Sequence, residues 1–138
     1  METYSLKNEL TVFGTQVKSF PSGIGEAFEI LVNKVGGFNR SFYGISRMDG
    51  NCMIYVAAAL EIFEGEAAKQ GCEKYTVEAG EYLVVTIHDW RSKTACIKDV
   101  FHEMMQDERA GTTYPCVEWY RNDDEMMCMV KMIPQEVN

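Results

Sequence analysis

The hydrophobic pattern in the first half of the chain predicts a strand followed by a helix. The strand is a β-prone segment over 10–20, and it ends at Pro21-Ser22-Gly23. An apolar stripe with helical spacing comes next, formed by Ile24, Phe28, Leu31, Val32 and Val35. Ser22 is the expected N-cap of this helix, and Gly36-Gly37 is the expected stop.

A β-hairpin is expected to complete the first half. Its strands cover 38–47 and 52–60, and Asp49-Gly50 lies between them, a dipeptide typical of tight hairpin turns. The polar stretch 64–71 that follows is interpreted as a connector between the halves.

The second half repeats this order. Strands are expected at 75–77 and 81–88, and the latter carries the apolar run Tyr82-Leu83-Val84-Val85. A helix is expected from about Ser92, with Asp89 or Ser92 as its cap. Its apolar stripe consists of Ile97, Val100, Phe101, Met104 and Met105.

A final hairpin is predicted after a break at Gly111-Thr112-Thr113. Its strands cover 115–121 and 125–132, and Asn122-Asp123-Asp124 forms the turn. The elements of the two halves therefore recur in the same order at nearly constant spacing, although residue identity between the halves is slight.

The repeated order predicts an α+β fold. At 138 residues the chain fits one domain, built from two β-α-β-β units over about 1–68 and 69–138. Each unit has one apolar sheet face and one apolar helix stripe, so two units can share a continuous antiparallel sheet covered by two helices. The opposite face of the sheet or the seam between the units would then be free to form a cleft.

The strand 115–121 contains a lone carboxylate, Glu118, among aromatic and apolar residues. Strand alternation places Glu118 and Tyr120 on one face with Cys116, and Trp119 on the other. On one interpretation Glu118 lies at the floor of an aromatic pocket, where it attracts a cation and where burial raises its pKa. On the other it faces water from a half-exposed strand, since buried glutamate is rare.

Further aromatic residues are candidates for the pocket walls, although most are expected to fill the core. The predicted ligand-binding set consists of Glu118, Tyr120, Tyr82, Trp90, Trp119, Tyr55, Tyr43 and Phe101. No cysteine and histidine residues have the spacing of a zinc site, so no metal is expected. No glycine-rich segment matches the dinucleotide or P-loop pattern, and no cofactor is expected.

The composition narrows the function. With 21 acidic and 13 basic residues the net charge is −8, which disfavours direct nucleic-acid binding and suits cationic small molecules. No apolar run reaches the roughly 18 residues of a membrane span, and no signal peptide is visible. The five cysteines are interpreted as reduced thiols, so a cytoplasmic location is expected.

Two motifs carry a family resemblance. The segment 73–88, with Ala79-Gly80-Glu81-Tyr82 at its centre, resembles the polar strand, Ala-Gly-x-Tyr and apolar strand of the GyrI-like effector-binding domains. The segment 115–120 resembles the apolar-Glu-x-Tyr strand of that family, and the last strand, ending at Ile133-Pro134, also fits.

The resemblance implies a pocket between the halves that binds amphipathic, often cationic or aromatic, molecules. By this resemblance, Glu118 corresponds to the family's pocket glutamate and Tyr120 to its strand tyrosine. Tyr82 is a further residue of the pocket wall. Many relatives are effector modules of transcription regulators. Since no helix-turn-helix is visible before residue 10, we expect a stand-alone module. The sequence departs from the family at Asp89-Trp90, where many relatives have a glycine.

Three functions follow from these expectations. The first is the binding or sequestering of an amphipathic small molecule, with Glu118 as the anionic anchor. The second is a hydrolase for electrophilic small molecules, in which Glu118 is the general base and Tyr120 or Tyr82 polarises the substrate. The third is a protein-interaction module that modulates gyrase or docks onto a transcription regulator. A small-molecule partner is expected in the first two, and no membrane partner in any.

Overall fold

The computed structural model describes residues 1–17 and 23–134, and it confirms the predicted α+β fold. Eight antiparallel strands form one sheet, and three α-helices accompany it in this part of the chain. The predicted cap Ser22 and the predicted end of the first strand at 18–20 lie outside the described residues. None of the described helices is long and apolar enough to cross a membrane.

The strands are β1 (Glu2–Leu6), β2 (Leu10–Gln16), β3 (Phe42–Asp49), β4 (Cys52–Leu60), β5 (Glu73–Val77), β6 (Gly80–His88), β7 (Cys116–Tyr120) and β8 (Glu125–Lys131). The helices are α1 (Ile24–Val35), α2 (Glu66–Lys69) and α3 (Ile97–Met104). A 3-10 helix over Trp90–Cys96 leads into α3.

Two elements go beyond the sequence prediction. β1 is a short strand at the N-terminus, where only Tyr4 and Leu6 alternate with polar residues. α2 is a four-residue helix inside the predicted connector. Both are too short for hydrophobic periodicity to reveal, because a strand or helix pattern needs several repeats.

The second helix begins later than predicted. Residues 90–96 form 3-10 turns, and the α-helix starts at Ile97 with Cys96 as its N-cap. Asp89 occupies the N-cap position of the 3-10 helix, without a side-chain cap hydrogen bond, and the Ser92 hydroxyl donates to the Asp89 carboxylate at 2.7 Å. Asp89 adopts a left-handed conformation with φ of 51°, and this conformation lets the chain turn sharply after β6.

Both hairpin turns form where the pattern predicts them. Asp49 pairs with Cys52, so Gly50 and Asn51 are the loop residues, and Gly50 has φ of +63° as tight hairpin loops require. In the second turn the Asn122 side-chain oxygen accepts hydrogen bonds from the backbone N–H groups of Asp124 and Glu125 at 2.9 and 2.8 Å. This side chain thereby stabilises the turn between β7 and β8.

The strand order exchanges the leading strands of the two halves. The sheet runs β1-β6-β8-β7-β3-β4-β2-β5, so β6, β8 and β7 mirror β2, β4 and β3 about the β7–β3 contact. β1, from the first half of the sequence, pairs with β6, whereas β5, from the second half, pairs with β2. The exchange ties the halves together at both edges of the sheet.

The exchange also forces the sheet to curl. β1 is the first strand in the sheet and β2 the seventh, six strand spacings away, which is about 29 Å in a flat sheet. The chain joins them through residues 7–9 alone, which reach at most about 14 Å. The two edges of the sheet therefore approach each other, and the sheet becomes a half-barrel.

The curled sheet has two different faces. The outer face, here called the helix face, packs against Leu31 and Val35 of α1 and against Ile97 and Met104 of α3. The concave face, here called the inner face, is covered by no helix in the described chain. Its buried cluster contains strand residues alone, among them Tyr43, Tyr82, Val117 and Met129.

Candidate functional site

Glu118 lies at the centre of the sheet on the helix face. Its strand, β7, is flanked by β3 and β8, and Glu118 pairs with Gly44 on one side and Cys128 on the other. This β7–β3 contact is the seam between the two halves, and α1 and α3 cover the sheet on either side of it. Glu118 is half-buried rather than fully exposed to water.

Two tyrosine hydroxyls converge on the same carboxylate oxygen. Tyr55 of β4 and Tyr120 of β7 each donate to Oε1 of Glu118, at 2.6 and 2.7 Å. Oε2 accepts no hydrogen bond from a described residue, and no lysine or arginine of the described chain forms an ion pair with Glu118. The charge is therefore held by neutral donors without a counter-ion in that part of the chain.

The surroundings shift the pKa values of all three groups. Burial raises the pKa of Glu118, and the two hydrogen bonds from Tyr55 and Tyr120 oppose this effect. Burial and the nearby carboxylate also raise the pKa of both tyrosine hydroxyls. Both tyrosines are therefore neutral donors at physiological pH, while Glu118 is easier to protonate than an ordinary glutamate.

The neighbouring thiols carry no negative charge. Burial, aided by the Glu118 carboxylate, raises the pKa of Cys116 to about 11 and that of Cys128 to about 12. Thiols with such pKa values are poor nucleophiles at neutral pH. Within the described residues no group of histidine, cysteine and acidic side chains has the arrangement of a metal site.

Aromatic rings from the helix side surround the carboxylate and its tyrosines. Phe28 of α1 contacts the ring of Tyr120 edge-on at 5.5 Å and that of Tyr55 at 6.4 Å. Trp90 of the 3-10 helix contacts Tyr120 from the other side, with ring centroids 4.8 Å apart. Phe28, Trp90 and Tyr120 are all half-buried, so they remain partly accessible to a ligand.

Trp90 is held in place by two further contacts. Its Nε1 donates to the backbone oxygen of Asn122 at 2.8 Å, and the Arg91 guanidinium lies 4.6 Å from the centre of its ring. Phe101 of α3 packs against the same hydrophobic cluster as Trp90 and Tyr120. The bulky residue at position 90 thus becomes part of the aromatic wall.

Gly44 makes the site sterically feasible. A Cβ atom at this position would clash with the Tyr55 hydroxyl and would lie 2.5 Å from Oε1 of Glu118. The hydroxyl–carboxylate contact therefore occupies the volume that any other residue would fill. The glycine gives no signal in the sequence, because its importance depends on the β3–β7 register.

The eight predicted ligand-binding residues divide between the two faces of the sheet. Five of them lie together on the helix face: Glu118, Tyr120, Tyr55, Trp90 and Phe101. Tyr43, Trp119 and Tyr82 lie on the inner face. Two residues not in the predicted set, Phe28 and Gly44, belong to the helix-face site; Phe28 was assigned only to the apolar stripe of α1.

The inner-face aromatics have their own contacts. Tyr43 and Trp119 are stacked, with centroids 6.3 Å apart and planes inclined by 17°. The Tyr82 hydroxyl donates to the backbone oxygen of Glu78 at 2.6 Å. Burial raises the pKa of Tyr43 and of Tyr82 to about 12, so both hydroxyls are uncharged at physiological pH.

The fold is similar to that of three solved structures. An integron cassette protein from Vibrio cholerae matches with a TM-score of 0.70 and 14% identity, covering 96% of this chain and 95% of that chain. SAV2435 bound to tetraphenylphosphonium matches with a TM-score of 0.67 and 14% identity over 96% and 93%. A protein from Staphylococcus aureus MU50, described as a bacterial transcription regulation protein, gives 0.60 and 15% over 94% and 97%.

These similarities extend over nearly the whole chain, but at 14–15% identity they establish the fold alone. No protein-family model matches the sequence, and no curated protein is similar to it.

Proposed function

We propose that this chain binds amphipathic aromatic cations on the helix face, with Glu118 as the anionic anchor. The observation that carries the proposal is the carboxylate itself. It is half-buried, hydrogen-bonded only by two neutral hydroxyls in the described chain, and surrounded by aromatic rings. Such a group gains more from a cationic ligand than from its present neighbours.

Electrostatics favour a cation at this position. Burial makes ionisation of Glu118 costly, which is why its pKa is raised, and a cation close to the carboxylate would compensate that cost. Two unit charges 4 Å apart attract by about 4 kcal/mol at the effective dielectric near a protein surface. The net charge of −8 also draws cations toward the protein.

The aromatic wall favours a ligand that is aromatic as well as cationic. Phe28, Trp90 and Tyr120 present ring faces and edges beside the carboxylate. A cation over such a ring gains about 0.5–2 kcal/mol, depending on how far it is desolvated. The hydroxyls of Tyr55 and Tyr120 hold the carboxylate in position, so less conformational entropy is lost on binding.

The comparisons and the motifs support the same ligand class. SAV2435, which has a similar fold, was solved bound to tetraphenylphosphonium, an aromatic cation. The Ala-Gly-Glu-Tyr and Val-Glu-Trp-Tyr segments support membership of the GyrI-like effector-binding domains. We propose that the chain is a single domain of this kind, which acts as a stand-alone cytoplasmic effector-binding or drug-sequestering module.

A pair of ions with matched shape and opposite charge tests the anchor role. Isothermal titration calorimetry at pH 8 should detect binding of tetraphenylphosphonium but not of tetraphenylborate. Glu118→Gln should weaken phosphonium binding by about tenfold or more, because loss of one charge contact exceeds about 1.4 kcal/mol. Glu9→Gln, which changes an exposed loop glutamate, is the matched control and should leave the affinity unchanged.

Two results would contradict the proposal. One is equal binding of the two ions, which would show that hydrophobic contact alone holds the ligand. The other is wild-type affinity in Glu118→Gln together with a normal circular dichroism spectrum.

One observation favours a second candidate, a hydrolase for electrophilic small molecules. Both tyrosines donate to Oε1, so Oε2 of Glu118 has no described donor and can accept a proton from water. The raised pKa of Glu118 brings it closer to that of an effective general base. An aryl epoxide separates the two candidates, since chromatography will show diol formation by the wild type and not by Glu118→Gln only if the site is catalytic.

A further inference from the structure

The two oxygens of the Glu118 carboxylate have different surroundings. Tyr55 and Tyr120 both donate to Oε1, at 2.6 and 2.7 Å, and a Cβ atom at position 44 would lie 2.5 Å from this oxygen. Oε2 accepts no hydrogen bond within the described chain. Since a carboxylate oxygen has two lone pairs, Oε1 is fully used, whereas the capacity of Oε2 is still open.

Oε2 is accessible from outside the protein. In the part of the chain that the structure describes, the one buried side-chain nitrogen or oxygen without a hydrogen-bond partner is Nε1 of Trp119. Oε2 of Glu118 also has no partner, so it is not among the buried atoms and keeps accessible surface. An accessible carboxylate oxygen is hydrated in the free protein, and a ligand that reaches it displaces the water.

The loss of this water decides which cations bind best. A ligand group that cannot reproduce the hydrogen bond of a displaced water loses affinity. A quaternary ammonium or phosphonium ion has no hydrogen to donate, whereas the N–H of a protonated amine can replace the water. Hydrogen bonds between charged nitrogen and oxygen are short, at about 2.7–2.9 Å, and about twice as strong as neutral ones. The N–H donor therefore also brings the positive charge closer to the carboxylate.

The two tyrosines favour a ligand with a single donor. A guanidinium binds a carboxylate through two parallel N–H groups, one to each oxygen. Tyr55 and Tyr120 already use both lone pairs of Oε1, so the second N–H of a guanidinium would have to displace a hydroxyl. An ammonium group needs Oε2 alone and leaves both tyrosine contacts intact.

The aromatic wall determines what the amine should carry. Phe28 of α1 and Trp90 of the 3-10 helix contact the ring of Tyr120 from two sides, with centroids 5.5 and 4.8 Å away. All three rings are half-buried, so apolar ring surface is accessible around the tyrosine that holds Glu118. An aromatic body joined to the amine can cover this surface while the amine reaches the carboxylate.

We propose that the preferred ligands of the Glu118 site are protonated amines attached to an aromatic body, whose N–H donates to Oε2 of Glu118. This inference rests on the proposed function and narrows it, because it distinguishes protonated amines from permanently charged cations at the same site. The charge of Glu118 attracts both kinds of ion, and the open oxygen selects the protonated amine.

Imipramine and its N-methyl quaternary salt form a matched pair of probes. At pH 8 both carry the same ring system and one positive charge, but only imipramine has an N–H. Isothermal titration calorimetry should show that the wild-type protein binds imipramine about tenfold more tightly or better, the fold-change of one hydrogen bond to a charged group. In 15N-labelled protein both probes should shift the indole N–H resonance of Trp90 and leave that of Trp119, on the inner face, unmoved.

Glu118→Gln separates the hydrogen bond from the size of the added methyl group. The two tyrosine hydroxyls need an acceptor, so they should hold the amide oxygen and leave the NH2 group, which accepts no hydrogen bond, at the Oε2 position. The advantage of imipramine should therefore fall to within about twofold, because the pairwise interaction is missing. Glu9→Gln, which changes an exposed glutamate, is the control and should keep the advantage.

Desipramine provides the same separation on the wild-type protein if Glu118→Gln does not fold. It has one methyl group fewer than imipramine and keeps an N–H. It should bind within about fourfold of imipramine, the effect of one buried methyl group.

The inference alone is overturned if both forms of imipramine bind the wild type equally while tetraphenylphosphonium binds and Glu118→Gln weakens all three. It is also overturned if the advantage of imipramine persists in Glu118→Gln, since the size of the ligand would then discriminate. If neither form of imipramine nor the phosphonium ion binds, the proposed function fails together with the inference.

Discussion

The two faces of β7 contrast in their charge and in how each polar group is satisfied. On the helix face, Glu118 carries a charge that two hydroxyls stabilise, and its aromatic neighbours are half-buried. On the inner face, the indole N–H of Trp119 is buried without a described partner, and Trp119 lines a largely apolar cavity. Adjacent residues of one strand thus reach two environments, because strand geometry sends successive side chains to opposite faces.

The two faces are also built from different elements. A covering layer of helices creates a site whose walls come from different elements, Phe28 from α1 and Trp90 from the 3-10 helix. The curled inner face forms a cavity that is lined almost entirely by strand residues. Changes at one face should therefore leave the other intact, and the predictions below test this separation in order of expected effect.

The largest effect is expected from Gly44→Ala. The added Cβ would clash with the Tyr55 hydroxyl and approach Oε1 of Glu118, so one of these groups must move. We expect the free energy of unfolding to fall by about 1–3 kcal/mol and phosphonium binding to be lost, as denaturant unfolding and calorimetry would show. Gly25→Ala is the control, because nothing lies within 4 Å of its Cβ position.

If the faces are independent, Gly44→Ala should leave the indole N–H resonance of Trp119 unmoved in 15N-labelled protein. A variant with unchanged unfolding and unchanged phosphonium binding would show that the close approach of Tyr55 and Glu118 is unimportant.

The next largest effect is expected in the pH dependence of stability, which should reveal the raised pKa of Glu118. Because its folded-state pKa is raised, the folded protein binds the proton more tightly than the unfolded chain does. The free energy of unfolding is therefore lost as pH rises from about 4.3 through the folded-state pKa, by about 1.4 kcal/mol for each unit of pKa difference. Glu118→Gln lacks this loss, so the thermal stability of the wild type should fall relative to that of the variant as pH rises from about 4.3 through the folded-state pKa of Glu118.

Phosphonium binding should change with pH in the opposite direction. Binding needs the ionised carboxylate, so affinity should increase with pH over the same range in which the unliganded wild type loses stability. Parallel pH profiles of unfolding for the wild type and Glu118→Gln would contradict a raised pKa at Glu118.

A smaller effect is expected from Tyr120→Phe, which keeps the ring and removes one donor to Glu118. The hydrogen bond lowers the pKa of Glu118, so its removal should raise that pKa further and move the pH midpoint of phosphonium binding upward. The cost in unfolding free energy should be about 1 kcal/mol. Tyr75→Phe is the matched control, because Tyr75 also donates to a glutamate two residues away, Glu73, at 3.1 Å, on an exposed edge strand. An equal shift of the midpoint in both variants would mean that the tyrosine hydrogen bond does not tune Glu118.

Several features of the molecule follow from local sequence. The apolar stripe of α1, the glycine at its end and both hairpin turns depend on residues a few positions apart, so periodicity and turn chemistry reveal them. In the same way, alternation along β7 places Glu118 with Tyr120 and opposite Trp119. The repeated order of elements is a local property too, and it predicts the α+β class.

What lies beyond local pattern is decided by pairing between distant strands. The exchange of β1 and β5, the curl that it imposes and the inner-face cavity depend on contacts across the whole chain. The same is true of the division of the aromatic residues between the two faces and of the need for glycine at position 44.

Glu118 shows both what the local sequence determines and what only the tertiary structure decides. Its residue type and its face on β7 are determined by the sequence, since alternation needs only the strand itself. That it meets Tyr55 from another strand and Phe28 from a helix, without a described cation, is decided by the tertiary structure. Hydrogen bonds and burial between distant residues shift its pKa, and no spacing along the chain contains that information.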